Sequence, residues 1–295
     1  MTMRVCLLGF GEVGQTLVAD LRAAGASGIT AYDVLFRDTG SAPSRAAAAI
    51  DVRVGTSAKQ AAADADLIVC AVTAAQDVAA AQSVAGALKR SAYFLDVNSV
   101  SPGVKQQSAA IIEAGGARYV EAAIMSPISP KRIASPMLFG GPHAGEFLPL
   151  AKQLGFSGAQ VFSDQVGKAS AAKMCRSVMI KGMESLLTES LLAARHYGVE
   201  STVLDSLRTL FPGENWPVLA RYMISRSLIH GRRRAEEMRE VAKTVAEAGL
   251  DSHMSAASAQ RQDWAAAFRE AASIEELEPM LDAVLSRAKV GKVAC

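Results

Sequence analysis

Six residues near the amino terminus, Gly9-Phe10-Gly11-Glu12-Val13-Gly14, carry the G-x-G-x-x-G spacing that suits a phosphate group. Gly9 permits a tight turn, Gly11 lets the backbone approach a pyrophosphate, and Gly14 lets the following helix pack close. A helix opening at Glu12 and Val13 would aim its positive end at the anion. Asp33 stands 19 residues beyond Gly14, where a carboxylate accepts hydrogen bonds from an adenosine ribose. Such a carboxylate repels a 2′-phosphate, so the pattern predicts NAD in preference to NADP. Arg37, four residues on, works against that preference. The competing reading is a structural glycine turn beside a surface aspartate. The position of the loop, between a first strand and a first helix, favours dinucleotide binding.

Those residues need a scaffold, and the chain is long enough for two domains. It has 295 residues, 50% hydrophobic and 20% charged, as ordinary globular chains do. Lys+Arg 31 against Asp+Glu 29 leaves a formal charge of +2, with no basic excess of the kind that marks a nucleic-acid partner. Every apolar run is broken by a charge, Gly or Pro before it reaches the length of a membrane span. Cys6, Cys70, Cys175 and Cys295 form no C-x-x-C pair, and His143, His196, His230 and His253 have no metal-ligand spacing. Neither a disulfide framework nor a metal site is expected. The opening apolar run is too short for a signal peptide and runs into the glycine loop, so a cytoplasmic location is expected.

The first half alternates strand-like and helix-like segments. Residues 5–8, 29–32, 67–72, 93–97 and 118–121 read as strands, with 137–139 and 159–162 as further candidates. Ala-rich segments 12–24, 74–88 and 102–114 read as helices between them. This alternation implies βαβ units and a parallel sheet covered on both faces, a Rossmann-type doubly wound α/β domain over residues 1–163. Beyond Ser163 the strand signals stop, and residues 164–295 read as an all-α domain. One helix is expected over 165–197, then helices over 202–210, 216–227, 233–248, 254–270 and 274–288. A helix of the first length spans about 50 Å, more than one small domain covers, which suggests a second subunit against it.

On these motifs the chain resembles the β-hydroxyacid dehydrogenase superfamily, which includes 6-phosphogluconate, 3-hydroxyisobutyrate and tartronate-semialdehyde enzymes. The glycine loop matches. The family's strand-end motif D-x-S-T-x-x-P is similar to Asp96-Val97-Asn98-Ser99-Val100-Ser101-Pro102, with Asn98 for a serine. By that match Asn98 and Ser99 lie beside the nicotinamide ribose, and Val72 and Thr73 flank the cofactor. The substrate loop D-A-P-V-S-G-G is similar to residues 121–127, with Met125 and Ser126 at substrate-facing positions and Pro127 for the last glycine. The catalytic signature G-x-G-x-x-x-K-x-x-N is similar to residues 167–176: Lys173 is in place, and Arg176 replaces the asparagine. Lys173–Ser177 and His230–Met238 further resemble a divergent branch labelled 6-phosphogluconate-dehydrogenase-like.

The resemblance implies a homodimer joined through the helical domain and hydride transfer between NAD(P) and a 3-hydroxy acid or related alcohol, with Lys173 as general acid/base. A lysine free in water, with a pKa of about 10.4, is a poor base at neutral pH. Burial and a nearby cation such as Arg176 disfavour its charged form. Residues three and four positions on share its helix face, so Arg176 and Ser177 are expected at the substrate, Arg176 gripping a carboxylate. An Arg paired to a structural Glu is the competing reading. Lys131 and Arg132 could add charge at the mouth, and His230 with the arginines after it could touch a ligand, although both runs read more simply as solvated. Two further functions remain open: an imine or carbonyl reductase, against which the retained Lys173 argues, and a non-catalytic nucleotide-binding sensor.

Overall fold

The computed structural model describes residues 3–291; Cys295 lies outside them. The chain forms two compact units, Met1–Met174 and Cys175–Cys295.

In the first unit an eight-stranded sheet is built from β1 (Arg4–Leu8), β2 (Ser27–Tyr32), β3 (Arg53–Val54), β4 (Leu67–Cys70), β5 (Tyr93–Asp96), β6 (Arg118–Ile124), β7 (Met137–Gly140) and β8 (Ala159–Ser163). Its order is β3-β2-β1-β4-β5-β6-β7-β8, parallel throughout except for the antiparallel β6–β7 pair. The helices are α1 (Glu12–Ala23), α2 (Ala42–Ile50), α3 (Ala58–Ala62), α4 (Asp77–Val84), α5 (Pro102–Ala114) and α6 (Ala144–Gln153).

Alternation along each strand sends side chains to two separate cores. Val5 and Leu7 join Leu17, Val18 and Leu21 of α1 and Phe147 of α6. Cys6 and Leu8 join Ala61 of α3, Ala81 and Val84 of α4, and Ile112 of α5. Both faces are therefore covered, which is why these strands read as nearly unbroken apolar runs. The fold is the doubly wound α/β arrangement expected. Strand order reverses between β1 and β4, and ligands of such sheets bind outside the carboxyl ends of the strands at that point.

The second unit is helical. The long α7 (Lys168–Tyr197) begins in the first unit and continues into this one, followed by α8 (Glu200–Leu210), α9 (Trp216–Glu247), α10 (His253–Ala265) and α11 (Leu277–Gly291). Leu191, Trp216, Ile224, Phe268, Met280 and Leu281 are among its core residues.

Several boundaries differ from the expectation. The helix expected over 74–88 is a 3-10 turn, Ala74–Gln76, and a shorter α4. The short α2, β3 and α3 and the α6 helix were not anticipated. The two helices expected over 216–248 are one. Gly231 does not interrupt α9, because a Cβ there would sit 2.3 Å from Gln262 O of α10. Glycine at this position serves close helix packing, not a break.

Candidate active site

The register of the parallel strands aligns one row of residues across the sheet: Leu8 beside Cys70, Cys70 beside Asp96, and Asp96 beside Glu121. At about 4.8 Å per strand, the glycine loop after Leu8 lies roughly 10 Å from the end of β5. The loops leaving this row carry most of the residues that the sequence singled out.

Gly9 has φ +90°, and a Cβ on it would meet Ala71 O at 2.3 Å. A Cβ on Gly14 would meet Gly9 O at 2.3 Å, so these two glycines are required by the packing of the turn itself. Gly11 differs: nothing lies within 4 Å of where its Cβ would stand. It is the glycine that leaves the loop's outer surface open. Phe10 is buried, and Glu12 and Val13 begin α1.

Asp33 sits where β2 ends. Its Oδ2 accepts from Phe10 N at 2.7 Å and its Oδ1 from Leu35 N at 2.9 Å. The carboxylate is thus fixed against the glycine loop, and each oxygen keeps a lone pair for a further donor. Arg37 is exposed. Past β4, Val72 is half-buried and Thr73 exposed.

Asn98 and Ser99 leave β5. The Asn98 amide nitrogen Nδ2 donates to Asp77 Oδ2 at 2.8 Å, while its Oδ1 is buried with no partner. A buried orphan acceptor costs on the order of 1–3 kcal/mol unless something supplies a donor. Together with the open surface at Gly11 and the fixed Asp33, it makes these residues a fit for a dinucleotide lying along the row.

Lys173 reaches this edge from α7. Its Nζ donates to Ser99 Oγ at 2.5 Å, and Ser170, one turn earlier, donates to Val100 O. The start of α7 is held by a buried glutamate: Glu121 Oε2 accepts from Gly167 N at 2.8 Å and Oε1 from Ala169 N at 2.7 Å. A carboxylate over a helix amino terminus also meets the positive end of the helix dipole. Gly140 makes room for it, since a Cβ there would lie 2.3 Å from Glu121 Oε1. Glu121 therefore has a visible task, setting where Lys173 emerges. Burial raises the carboxyl above its ordinary value, against the pull of Lys105 and these amides.

Met125 and Ser126 follow β6 and are half-buried, Ser126 Oγ donating to Pro127 O at 3.0 Å. Arg176 and Ser177 belong to the second unit, where Arg176 is exposed and Ser177 buried. Arg132 is not a free charge at a site mouth: its Nε donates to both carboxylate oxygens of Asp20 on α1, at 2.9 and 3.1 Å. The His230–Arg234 run is not a solvated helix start either. It lies in the middle of α9, where buried Arg234 pairs with Glu184 at 2.6 Å and Arg233 with Glu237 at 2.9 Å.

The sequence reading missed a buried polar cluster beneath these loops. Lys105 on α5 pairs with Asp96 Oδ1 at 2.7 Å and donates to Asp96 O at 3.1 Å, while Tyr119 OH donates to Asp96 Oδ2 at 2.7 Å. Asp77, at the start of α4, accepts from Ser108 Oγ at 2.5 Å. Burial opposes the Lys105 charge, yet Asp96 and Asp77 outweigh it and hold its pKa above the ordinary value. A signal for Lys105 existed, because it shares the buried stripe of Ser108, Ala109 and Ile112 on α5.

Among the described residues no group of three or more His, Cys, Asp or Glu could hold a metal ion, and no helix is long and apolar enough to cross a membrane.

Residues 4–144 match the NAD binding domain of 6-phosphogluconate dehydrogenase, and residues 194–265 match a domain of unknown function, DUF1932. A conserved hypothetical protein from Sinorhizobium meliloti 1021 is 34% identical, with 97% of each chain covered and a TM-score of 0.75. The conserved protein MTH1747, described as structurally similar to 3-hydroxyacid dehydrogenases, is 31% identical over 89% of this chain and 96% of its own, with a TM-score of 0.69. The 3-hydroxyisobutyrate dehydrogenase of Mycobacterium tuberculosis has the same fold, at 20% identity over 98% and 99% of the two chains and a TM-score of 0.70. A nucleotide-binding half of 6-phosphogluconate dehydrogenase type and relatives that span nearly the whole length agree, and the chain belongs to the β-hydroxyacid dehydrogenase superfamily of NAD-binding dehydrogenases and reductases.

Proposed function

We propose that the protein transfers hydride between NAD and the CH–OH group of a 3-hydroxy acid or related alcohol, with Lys173 as the general acid/base. The observation that carries this reading is the 2.5 Å contact from Lys173 Nζ to Ser99 Oγ, which ties the lysine to the strand-end loop of the nucleotide-binding row. A bound nicotinamide would supply the hydride acceptor. In the oxidative direction the carbinol C–H bond breaks with its electron pair, and the hydroxyl proton passes to the unprotonated Lys173 amine; reduction reverses both transfers. Proton transfer by a positioned side chain contributes about 10²–10⁴-fold in rate.

The remaining residues orient. Gly9, Gly11 and Gly14 with the α1 amino terminus receive the pyrophosphate, Asp33 accepts from the adenosine ribose, and Val72, Thr73 and Asn98 flank the nicotinamide half. Met125, Ser126, Arg176 and Ser177 are proposed to contact the substrate, Arg176 through its carboxylate. NAD is favoured over NADP because Asp33 is pinned at the ribose position, where its charge opposes a 2′-phosphate. A homodimer through the helical unit would cover its exposed Met179, Leu186, Val218 and Tyr222.

Two measurements test the reading. Fluorescence titration with NADH and NADPH should show tighter NADH binding, and Asp33→Ser should relax the preference; tighter NADPH binding by the wild type would overturn the role of Asp33. A panel of 3-hydroxy acids with NAD should then give turnover that Lys173→Ala lowers by about 10²–10⁴-fold while nucleotide affinity persists. A response that Lys173→Ala leaves unchanged would point instead to a nucleotide sensor.

A further inference from the structure

The Asn98 carboxamide has two chemically different ends, and its surroundings distinguish them. Nδ2 donates to Asp77 Oδ2 at 2.8 Å and lies 3.4 Å from Cys70 Sγ; Oδ1 is buried without a partner. Asp77 is 2% exposed, and its second oxygen is occupied by Ser108 Oγ. An ionised carboxylate only accepts hydrogen bonds, so it can hold only the NH₂ end of the amide. The acceptor end is thereby turned away from Asp77. A protonated carboxyl can donate, and it would then hold the oxygen end, turning the NH₂ away.

We propose that Asp77 is a positioning residue that selects which end of the Asn98 carboxamide is offered to the nicotinamide half of the bound dinucleotide: an acceptor when Asp77 is ionised, a donor when it is protonated. This rests on the nucleotide-binding reading of the site. A carboxamide changes role by rotating its terminal group through half a turn, with almost no change in shape, so the switch needs no movement of the backbone.

The groups around Asp77 place the change in an accessible range. Cys70 faces it from β4 and Asp96 from β5, Lys105 and Ser108 from α5, and Tyr119 from β6, while Glu121 of β6 acts on Lys105 and Tyr119; the buried side chains of α3 are the alanines Ala58, Ala61 and Ala62. Burial raises the Asp77 pKa to about 6, the Asp96 charge adding to the rise, while Lys105 and the hydrogen bonds from Ser108 and Asn98 oppose it. Above that value the acceptor end is presented, and below it the donor end.

The test is calorimetric titration of the full chain with NAD and, separately, with ADP, from about pH 5 to about pH 8. ADP uses the glycine loop and Asp33 but has no nicotinamide half. We expect NAD affinity to fall about fivefold, the worth of one hydrogen bond, as pH drops through the Asp77 titration, with no matching step for ADP. Asp77→Asn should bind NAD without that step. Asn98→Ser should also lose it, since a hydroxyl donates and accepts in either state. The Ser variant keeps the test decisive if the Asn variant fails to fold. NAD binding with no pH step in the wild type, or a step that persists in either variant, overturns the role of Asp77. If neither NAD nor ADP binds at any pH, the nucleotide reading itself is wrong and the proposal falls with it.

Discussion

In the N-terminal unit three buried carboxylates, Asp77, Asp96 and Glu121, share the buried Lys105, whereas the helical unit surrounds Glu184 and Glu237 with Lys181, Arg233 and Arg234. The two clusters carry charge excesses of opposite sign, and the consequences differ. In the first, burial and neighbouring carboxylates bring Asp77 to about 6. In the second, burial lowers Lys181, and burial with Arg226 and Arg233 lowers His230 to about 4. Burial also pushes both partners of the Arg234–Glu184 pair toward neutrality, lowering Arg234 and raising Glu184. Desolvation there exceeds mutual attraction, as it does in many buried ion pairs. The negative cluster lies directly beneath the loops of the candidate active site and orients Asn98. The positive one joins α7 to α9.

Equal damage to each cluster should have unequal results. Lys105→Met leaves Asp96 buried without its cation, and Arg234→Met does the same to Glu184; each should cost about 3–5 kcal/mol in denaturant unfolding. Only the first should also weaken NAD binding, because only Lys105 braces the strand-end loop. An Arg234→Met protein with impaired NAD affinity would break the distinction.

The next largest effect is a pH dependence. The folded-state pKa of Asp77 lies above its ordinary value of 3.8, so the folded protein binds that proton more tightly than the unfolded chain. The stability it contributes is complete at low pH and is lost as pH rises from 3.8 to about 6. A shift of roughly two units corresponds to about 3 kcal/mol. Asp77→Asn should remove this component, which unfolding curves of the two proteins between those pH values would reveal as converging or parallel slopes.

A smaller change is expected at Glu121. In Glu121→Gln one carboxylate oxygen becomes an NH₂ facing a backbone donor at the start of α7, which should cost about 1–3 kcal/mol. Because the position of Lys173 depends on that helix start, turnover should fall more than NAD affinity. Equal loss of both would show that Glu121 supports the sheet edge generally rather than the lysine.

What was legible in the sequence was mostly local. The turn at Gly9 and the packing at Gly14 follow from six consecutive residues, and the alternation of apolar strands with Ala-rich helices follows from short-range periodicity. Asp33 was legible because the length of one βαβ unit fixes where the second strand ends. Long-range contacts were harder. Lys173 meets Ser99 across 74 residues of chain, and the family resemblance, not spacing, brought them together. The short α2, β3 and α3 were missed because alanine runs and two-residue strands give little periodic signal. The gap expected between helices over 216–227 and 233–248 is absent, and Gly231 within it admits the close approach of α10 to α9.

By itself, then, the sequence determined the doubly wound nucleotide-binding half, the helical second half and the glycine loop that joins β1 to α1, because each depends on residues within a few turns of one another. Only the tertiary structure decided the partners of the buried charges. Lys105 could be read as a polar residue on an apolar stripe, but its pairing with Asp96, the raised pKa of Asp77 and the orphaned oxygen of Asn98 depend on β4, β5, β6, α4 and α5 closing around one dry volume. The energy of a charge is set by its surroundings in space, and those surroundings come from distant parts of the chain.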